Sequence, residues 1–170
     1  MRLFIAINFN DETMATLLSL RGEMMETSAG GSFSPPENMH LTLVFLGECD
    51  EKRAAAAKAA MSSVRFEPFD VAIDRIGRFR RDDGDIWWAG LRESGPLLEL
   101  QRGLSDKLSE AGFKLESRRY SPHITIGRKV VTERKPHPID AFGETVRSVD
   151  LMKSERVNGR MLYTAIHTVE

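Results

Sequence analysis

Met39-His40-Leu41-Thr42-Leu43-Val44-Phe45-Leu46-Gly47 decides how the rest of this chain is read, because it has an echo in Pro122-His123-Ile124-Thr125-Ile126-Gly127-Arg128. Each stretch runs His, apolar, Thr, apolar. Apolar and β-branched residues dominate both, and along a strand successive side chains point to opposite faces. His40 and Thr42 therefore share one face while Leu41 and Leu43 share the other. His123 and Thr125 stand in the same relation to Ile124 and Ile126. A strand with an apolar underside and a His/Thr upper side is half core and half functional surface. Two of them predict one cleft with two similar walls.

Outward from these strands, the pattern is of short, regular elements. Residues 3–9 read as a first strand. Asp11-Glu12-Thr13 starts a helix running to about Glu26, with Met14, Leu17, Leu18, Arg21 and Met25 at helical spacing. Ser28-Ala29-Gly30-Gly31-Ser32 and Pro35-Pro36 read as a loop. Asp50 opens a second helix through the Ala54–Ala60 run, which has high helix propensity. Phe69 to Asp74 alternates as a strand, Asp82 to Asp85 is a turn, and Ile86 to Leu91 is its hairpin partner. Gly95-Pro96 starts a third helix with Leu97, Leu100, Leu104 and Leu108 on one face. Residues 129–141 read as a loop. Thr145 to Val157 and Met161 to Val169 read as two strands around Asn158-Gly159, a strong hairpin signal.

The halves repeat: helix, His strand, connection, hairpin, with the two histidines about half a chain apart. The expectation is an α+β protein forming one bilobal domain over residues 1–170. Two pseudo-symmetric lobes, each an antiparallel sheet from one half with outer helices, would flank a central cleft.

Composition limits the partners. A formal net charge of −1 argues against holding long nucleic acid by bulk electrostatics, though not against a local basic pocket. Cys49 is the single cysteine, so no intrachain disulfide forms and a Cys-rich zinc site is excluded. No run approaches the roughly 20 apolar residues of a membrane helix, and the apolar start is too short for a signal peptide. A monomeric cytoplasmic protein without membrane contact is expected. No Walker-type Gly-Lys-Ser/Thr loop is present, so ATP-driven chemistry has no support.

Two histidines facing one reacting centre can serve as base and acid in the same turnover, because imidazole titrates near neutrality. Phosphodiester cleavage needs this combination. The threonine hydroxyls, roughly 7 Å along the strand from their histidines, can donate hydrogen bonds to non-bridging phosphate oxygens. Neither motif carries the further His or carboxylate that a zinc set requires, so no metal and no cofactor are expected. His137, between two prolines, and His167, near the C-terminus, read as structural or exposed.

The two motifs with their flanks resemble the 2H phosphoesterase superfamily, and more narrowly the RNA 2′,3′-cyclic phosphodiesterases historically called 2′-5′ RNA ligases. Arg2-Leu3-Phe4-Ile5-Ala6, Trp87-Trp88-Ala89-Gly90-Leu91 and Tyr163-Thr164 extend the resemblance over nearly the whole chain. It implies hydrolysis of a 2′,3′-cyclic phosphate, on RNA 3′ ends or nucleotides, to a 2′-phosphomonoester without metal. It also implies His40 as proton donor, His123 as proton acceptor, and Thr42 and Thr125 as phosphate ligands. Alternatives are 2′-5′ ligation, the same attack by a 5′-hydroxyl in place of water, and a nucleotide- or RNA-binding module. Arg128 is a further phosphate-binding candidate and Phe45 a base-binding one. Strict alternation puts both on the face opposite the histidines, so each requires a break in its strand. Arg118 and Arg119 are candidates for extending the phosphate path, whereas Arg75, Arg78, Arg80 and Arg81 read as a solvated hairpin.

Overall fold

The computed structural model describes all residues from Met1 to Glu170. The chain opens with β1 (Arg2–Ile7) and α1 (Asp11–Glu26), whose N-cap is Asn10, its side chain accepting from the Thr13 amide at 2.9 Å. The buried face of α1 is Thr13, Leu17 and Met24; Met25, expected inside, is 49% exposed. Next come β2 (Ser28–Phe33), a 3-10 turn over Pro36–Asn38, and β3 (Leu41–Glu48). α2 (Glu51–Ser62) starts at Asp50, whose carboxylate caps the Arg53 amide at 2.8 Å.

β4 (Phe69–Phe79) and β5 (Asp85–Leu91) form the expected hairpin. α3 (Gly95–Glu110) is capped by Ser94 and buries Leu97, Leu100, Leu104 and Leu108, the predicted stripe. β6 (His123–Thr132), β7 (His137–Val146), β8 (Val149–Val157) and β9 (Arg160–Val169) complete the chain.

All pairings are antiparallel, in a four-stranded sheet ordered β3-β1-β8-β9 and a five-stranded sheet ordered β2-β6-β5-β4-β7. The fold class is as expected, but the sheets are not each made from one half. The hairpin β8-β9 of the second half completes the sheet of β3, and β4-β5 of the first half completes that of β6. The repeat is therefore better drawn as strand, helix, His strand. β1, α1 and β3 form one copy; β5, α3 and β6 form the other. In both copies the strand before the helix pairs with the His strand after it.

Two segments expected as loops are strands. β2 is glycine-rich and has no hydrophobic alternation, so it takes its conformation from pairing with β6. β7 carries Pro138 and Gly143 and lies at a sheet edge, where a missing amide donor costs nothing. Glycine at 143 is required, since a Cβ there would fall 1.9 Å from the Val71 carbonyl oxygen. The expected strand from Thr145 to Val157 is broken at residues 147–148, where the chain leaves one sheet for the other.

One continuous hydrophobic core joins the undersides of both sheets to the helices, with Leu3, Ile5 and Ile7 of β1 facing into it. The alternate residues Phe4 and Ala6 form a separate small cluster with Met152, on the upper face of the first sheet. β3 and β6 touch where the sheets meet, so both His strands lie at the seam.

Candidate functional site

Both histidines and both threonines border a single cleft of about 810 Å³ between the sheets. Along β3, the buried residues Leu41 and Leu43 alternate with half-buried His40 and Thr42, as the sequence predicts. The alternation then slips. Val44 is buried like Leu43, and Phe45 stands 62% exposed at the cleft. The cause is a bulge: Ala6 opposes Thr42 and Ile5 opposes Val44, leaving Leu43 as the extra residue.

β6 repeats this at the same place in its motif. Trp88 opposes Thr125 and Trp87 opposes Gly127, so Ile126 is extra. Ile126 and Gly127 are both buried, and Arg128 emerges exposed on the side of His123. Gly127 fits here because a Cβ would come within 2.9 Å of the Phe33 ring. The break that Phe45 and Arg128 both require is therefore present in both strands, three residues after each histidine.

Each imidazole packs against a pair of aromatic rings that also contact each other. His40 stacks on Phe4 at 4.9 Å and 28°, with Tyr163 at 5.8 Å. His123 receives Phe79 edge-on at 5.1 Å and Trp88 at 6.2 Å. Burial lowers the pKa of both, since desolvation penalises the imidazolium. For His40 the Glu37 backbone opposes that shift, yet Nδ1 is buried without a well-formed hydrogen bond. For His123 the Ser121 carbonyl opposes it and the Arg128 charge adds to it. Nδ1 of His123 lies 2.7 Å from the Ser121 carbonyl oxygen. A carbonyl only accepts, so Nδ1 carries the proton and the neutral ring keeps its lone pair on Nε2.

The cleft is cationic. Arg2, Arg81, Arg118, Arg119 and Arg128 all border it, and only Arg118 is paired with a carboxylate, that of Glu116 at 3.2 Å. Of the four hairpin arginines expected to be solvated, Arg75 and Arg80 are exposed, Arg75 pairing with Asp74, whereas Arg78 is largely buried against Asp85 and the Trp87 ring and Arg81 borders the cleft. His137 and His167 lie outside the cleft. The first meets the Lys135 carbonyl at 3.0 Å and the second the Ser62 hydroxyl at 3.0 Å. No group of three or more His, Cys, Asp or Glu side chains is arranged to hold a metal ion.

Sequence reasoning missed two residues that hold the motifs together. The Tyr120 hydroxyl donates to the Thr42 carbonyl at 2.8 Å, and the Ser34 hydroxyl donates to the Thr125 carbonyl at 3.0 Å. The segment leading into each motif thus fastens the other motif. Burial pushes the Tyr120 phenol well above its usual pKa, so it stays a donor. Ser34 is fixed in turn by its amide on the Ile126 carbonyl and by Arg21 Nη1 on its own carbonyl, both at 2.8 Å. The available signal was position, a hydroxyl shortly before each motif. The aromatics Phe4, Phe79 and Tyr163 were also missed; strand parity places each on a face without saying which strand faces which histidine.

Compared with known proteins, the chain matches the family model of LigT-like phosphoesterases over residues 7–88 and 91–163. An RNA 2′,3′-cyclic phosphodiesterase of Archaeoglobus fulgidus is 32% identical over 164 residues, covering 91% of each chain. That of Thermotoga maritima is 37% identical over 131 residues, covering 75% of this chain and 70% of its own. The crystal structure of Escherichia coli LigT complexed with 3′-AMP superposes with a TM-score of 0.86 at 26% identity, covering 99% of this chain and 96% of that one. Fold, paired His strands and sequence agree: the chain belongs to the LigT-like phosphoesterases, a family of 2H phosphoesterases.

Proposed function

We propose that this cleft hydrolyses ribose 2′,3′-cyclic phosphates, at RNA 3′ ends or on nucleotides, to 2′-phosphomonoesters. The observation that carries the reading is that two histidines from distant parts of the chain, each with a threonine on its own strand face, line one cationic cleft. The activity named for the relatives and the 3′-AMP bound by LigT support the same substrate class.

In this reading His123 takes a proton from water through Nε2. Its hydrogen bond to Ser121 fixes the tautomer, and burial with the Arg128 charge favours the neutral base. His40 gives its proton to the departing 3′ oxygen. Burial alone disfavours its imidazolium, but a bound phosphate anion restores it, because an opposite charge nearby stabilises the charged form. Thr42, Thr125 and Arg128 hold the phosphate oxygens as charge builds on them, and Phe45 stacks on the base. One proton enters at His123 and one leaves at His40, so solvent exchange resets the pair without a metal.

The test is product analysis on a nucleoside 2′,3′-cyclic phosphate with excess EDTA. The 2′-monophosphate is expected at an undiminished rate. The 3′-isomer, or loss of turnover with the chelator, overturns the reading.

A further inference from the structure

We infer that Gln101, on α3, is a positioning residue for the base side of the cleft: it holds the β3 bulge in the shape that turns Phe45 towards the substrate. The inference deepens the reading above and rests on its assignment of Phe45 to the base.

Along a regular strand, successive residues aim their carbonyls at opposite edges. A bulge breaks that rule. In β6 the carbonyls of Thr125 and of the extra residue Ile126 both accept from Ser34, the first from its hydroxyl at 3.0 Å and the second from its amide at 2.8 Å. In β3 the carbonyls of Thr42 and of the extra residue Leu43 also accept in succession. Their donors are the Tyr120 hydroxyl at 2.8 Å and Gln101 Nε2 at 3.3 Å. Each bulge is thus held by two donors from outside its strand. The β6 pair comes from one residue, continuous with β2, and one of its two donors is a backbone amide. The β3 pair is two side chains from separate elements, because β3 lies at the edge of its sheet with no strand beyond it.

Gln101 is itself fixed. Nε2 also donates to Ser105 Oγ at 3.1 Å, one turn further along α3, and both residues border the cleft. The helix beneath them is anchored by its buried leucines. The bond to Leu43 is half-buried, so without its donor that carbonyl must turn to find water. The backbone that turns is the segment presenting Phe45, two residues on. Phe45 stands exposed, with the Phe4 ring 5.8 Å away, so the bulge and not close packing sets its direction.

The test compares two substrates in one preparation of each variant: a nucleoside 2′,3′-cyclic phosphate, and methyl riboside 2,3-cyclic phosphate, which has no base. The readout is the ratio of their KM values, base-free over nucleoside. A general loosening of the fold acts on both substrates alike and leaves the ratio in place. Phe45→Leu is expected to shrink it about tenfold, the scale of one stacked base. Gln101→Met, similar in size but without a donor, is expected to shrink it about three- to tenfold, a share of the same stacking. Gln101→Glu should match Gln101→Met, because a carboxylate keeps the shape and cannot donate. In the Phe45→Leu background neither Gln101 substitution should shrink the ratio further. A ratio that Phe45→Leu shrinks and both Gln101 variants leave alone overturns the role of Gln101 while base stacking stands. A ratio that none of the three moves overturns both. A Gln101 effect that persists in the Phe45→Leu background overturns action through Phe45.

Discussion

The two walls of the cleft share a plan and differ in two respects that matter. Both carry a His-x-Thr-x strand with a bulge three residues past the histidine, and both seat the imidazole against a pair of aromatic rings. On the β6 wall the bulge delivers Arg128, and a carbonyl fixes Nδ1 of His123. On the β3 wall the same bulge delivers Phe45, and Nδ1 of His40 has no good partner. A fixed tautomer beside a cation suits a neutral base. A stacked ring with no cation beside it suits a group that becomes charged only when an anion arrives. In the proposed mechanism, the residue at position five and the partner of Nδ1, not the motif itself, separate the two roles.

The strongest way to break this comparison is to remove either histidine. His40→Ala and His123→Ala should each lower turnover by about 10²- to 10⁴-fold, the usual range for one general acid or base. A substrate whose leaving group needs no proton, such as a 4-nitrophenyl phosphodiester, should separate them. His40→Ala should recover most of its rate on it and His123→Ala should not. Equal recovery would erase the assigned asymmetry.

Arg128→Gln tests the same asymmetry more gently. A loss of about 10²-fold is expected from one missing phosphate contact. The pH profile carries a second sign. The Arg128 charge lowers the His123 pKa, so removing it raises that pKa. The base is then protonated at higher pH, and the acid limb of kcat/KM moves upward. Arg128→Lys keeps the charge and should leave the limb in place while losing the bidentate geometry. A limb that does not move in Arg128→Gln would mean that the acid limb does not report His123.

What was legible in the sequence follows from the range of the interactions. The His strands, the Asp50 cap and the leucine stripe of α3 are set by residues within a few positions of one another, and all appear as read. β2 and β7 were hidden because their glycines and prolines contradict strand propensity, and only pairing with β6 and β4 overrides it. The exchange of hairpins between halves was hidden too, since a hairpin forms locally whichever sheet it later joins. The site shows the same division. His40, Thr42, His123 and Thr125 stand out by pattern. Phe4, Phe79, Tyr163, Ser34 and Tyr120 reach the cleft only through contacts distant in the chain.

The smallest expected effect concerns the hydroxyls that cross between the walls. Tyr120→Phe removes the donor to the Thr42 carbonyl, and Ser34→Ala removes the donor to the Thr125 carbonyl. Each should cost about 1 kcal/mol of stability, the net worth of one hydrogen bond. Each should also lower kcat by about three- to tenfold with KM nearly unchanged, if the bonds hold the threonines in register for the transition state. Stability alone does not distinguish this from ordinary packing, so the decisive measurement is a pair of double-mutant cycles on kcat. Tyr120→Phe should couple to Thr42→Val, and Ser34→Ala to Thr125→Val, because each hydroxyl acts through the threonine whose carbonyl it holds. The crosswise pairs, Tyr120→Phe with Thr125→Val and Ser34→Ala with Thr42→Val, should be additive. Coupling that appears equally in all four pairs would mean that the hydroxyls set the spacing of the two sheets as a whole, and that the walls are tuned together, not each by the segment that leads into the other.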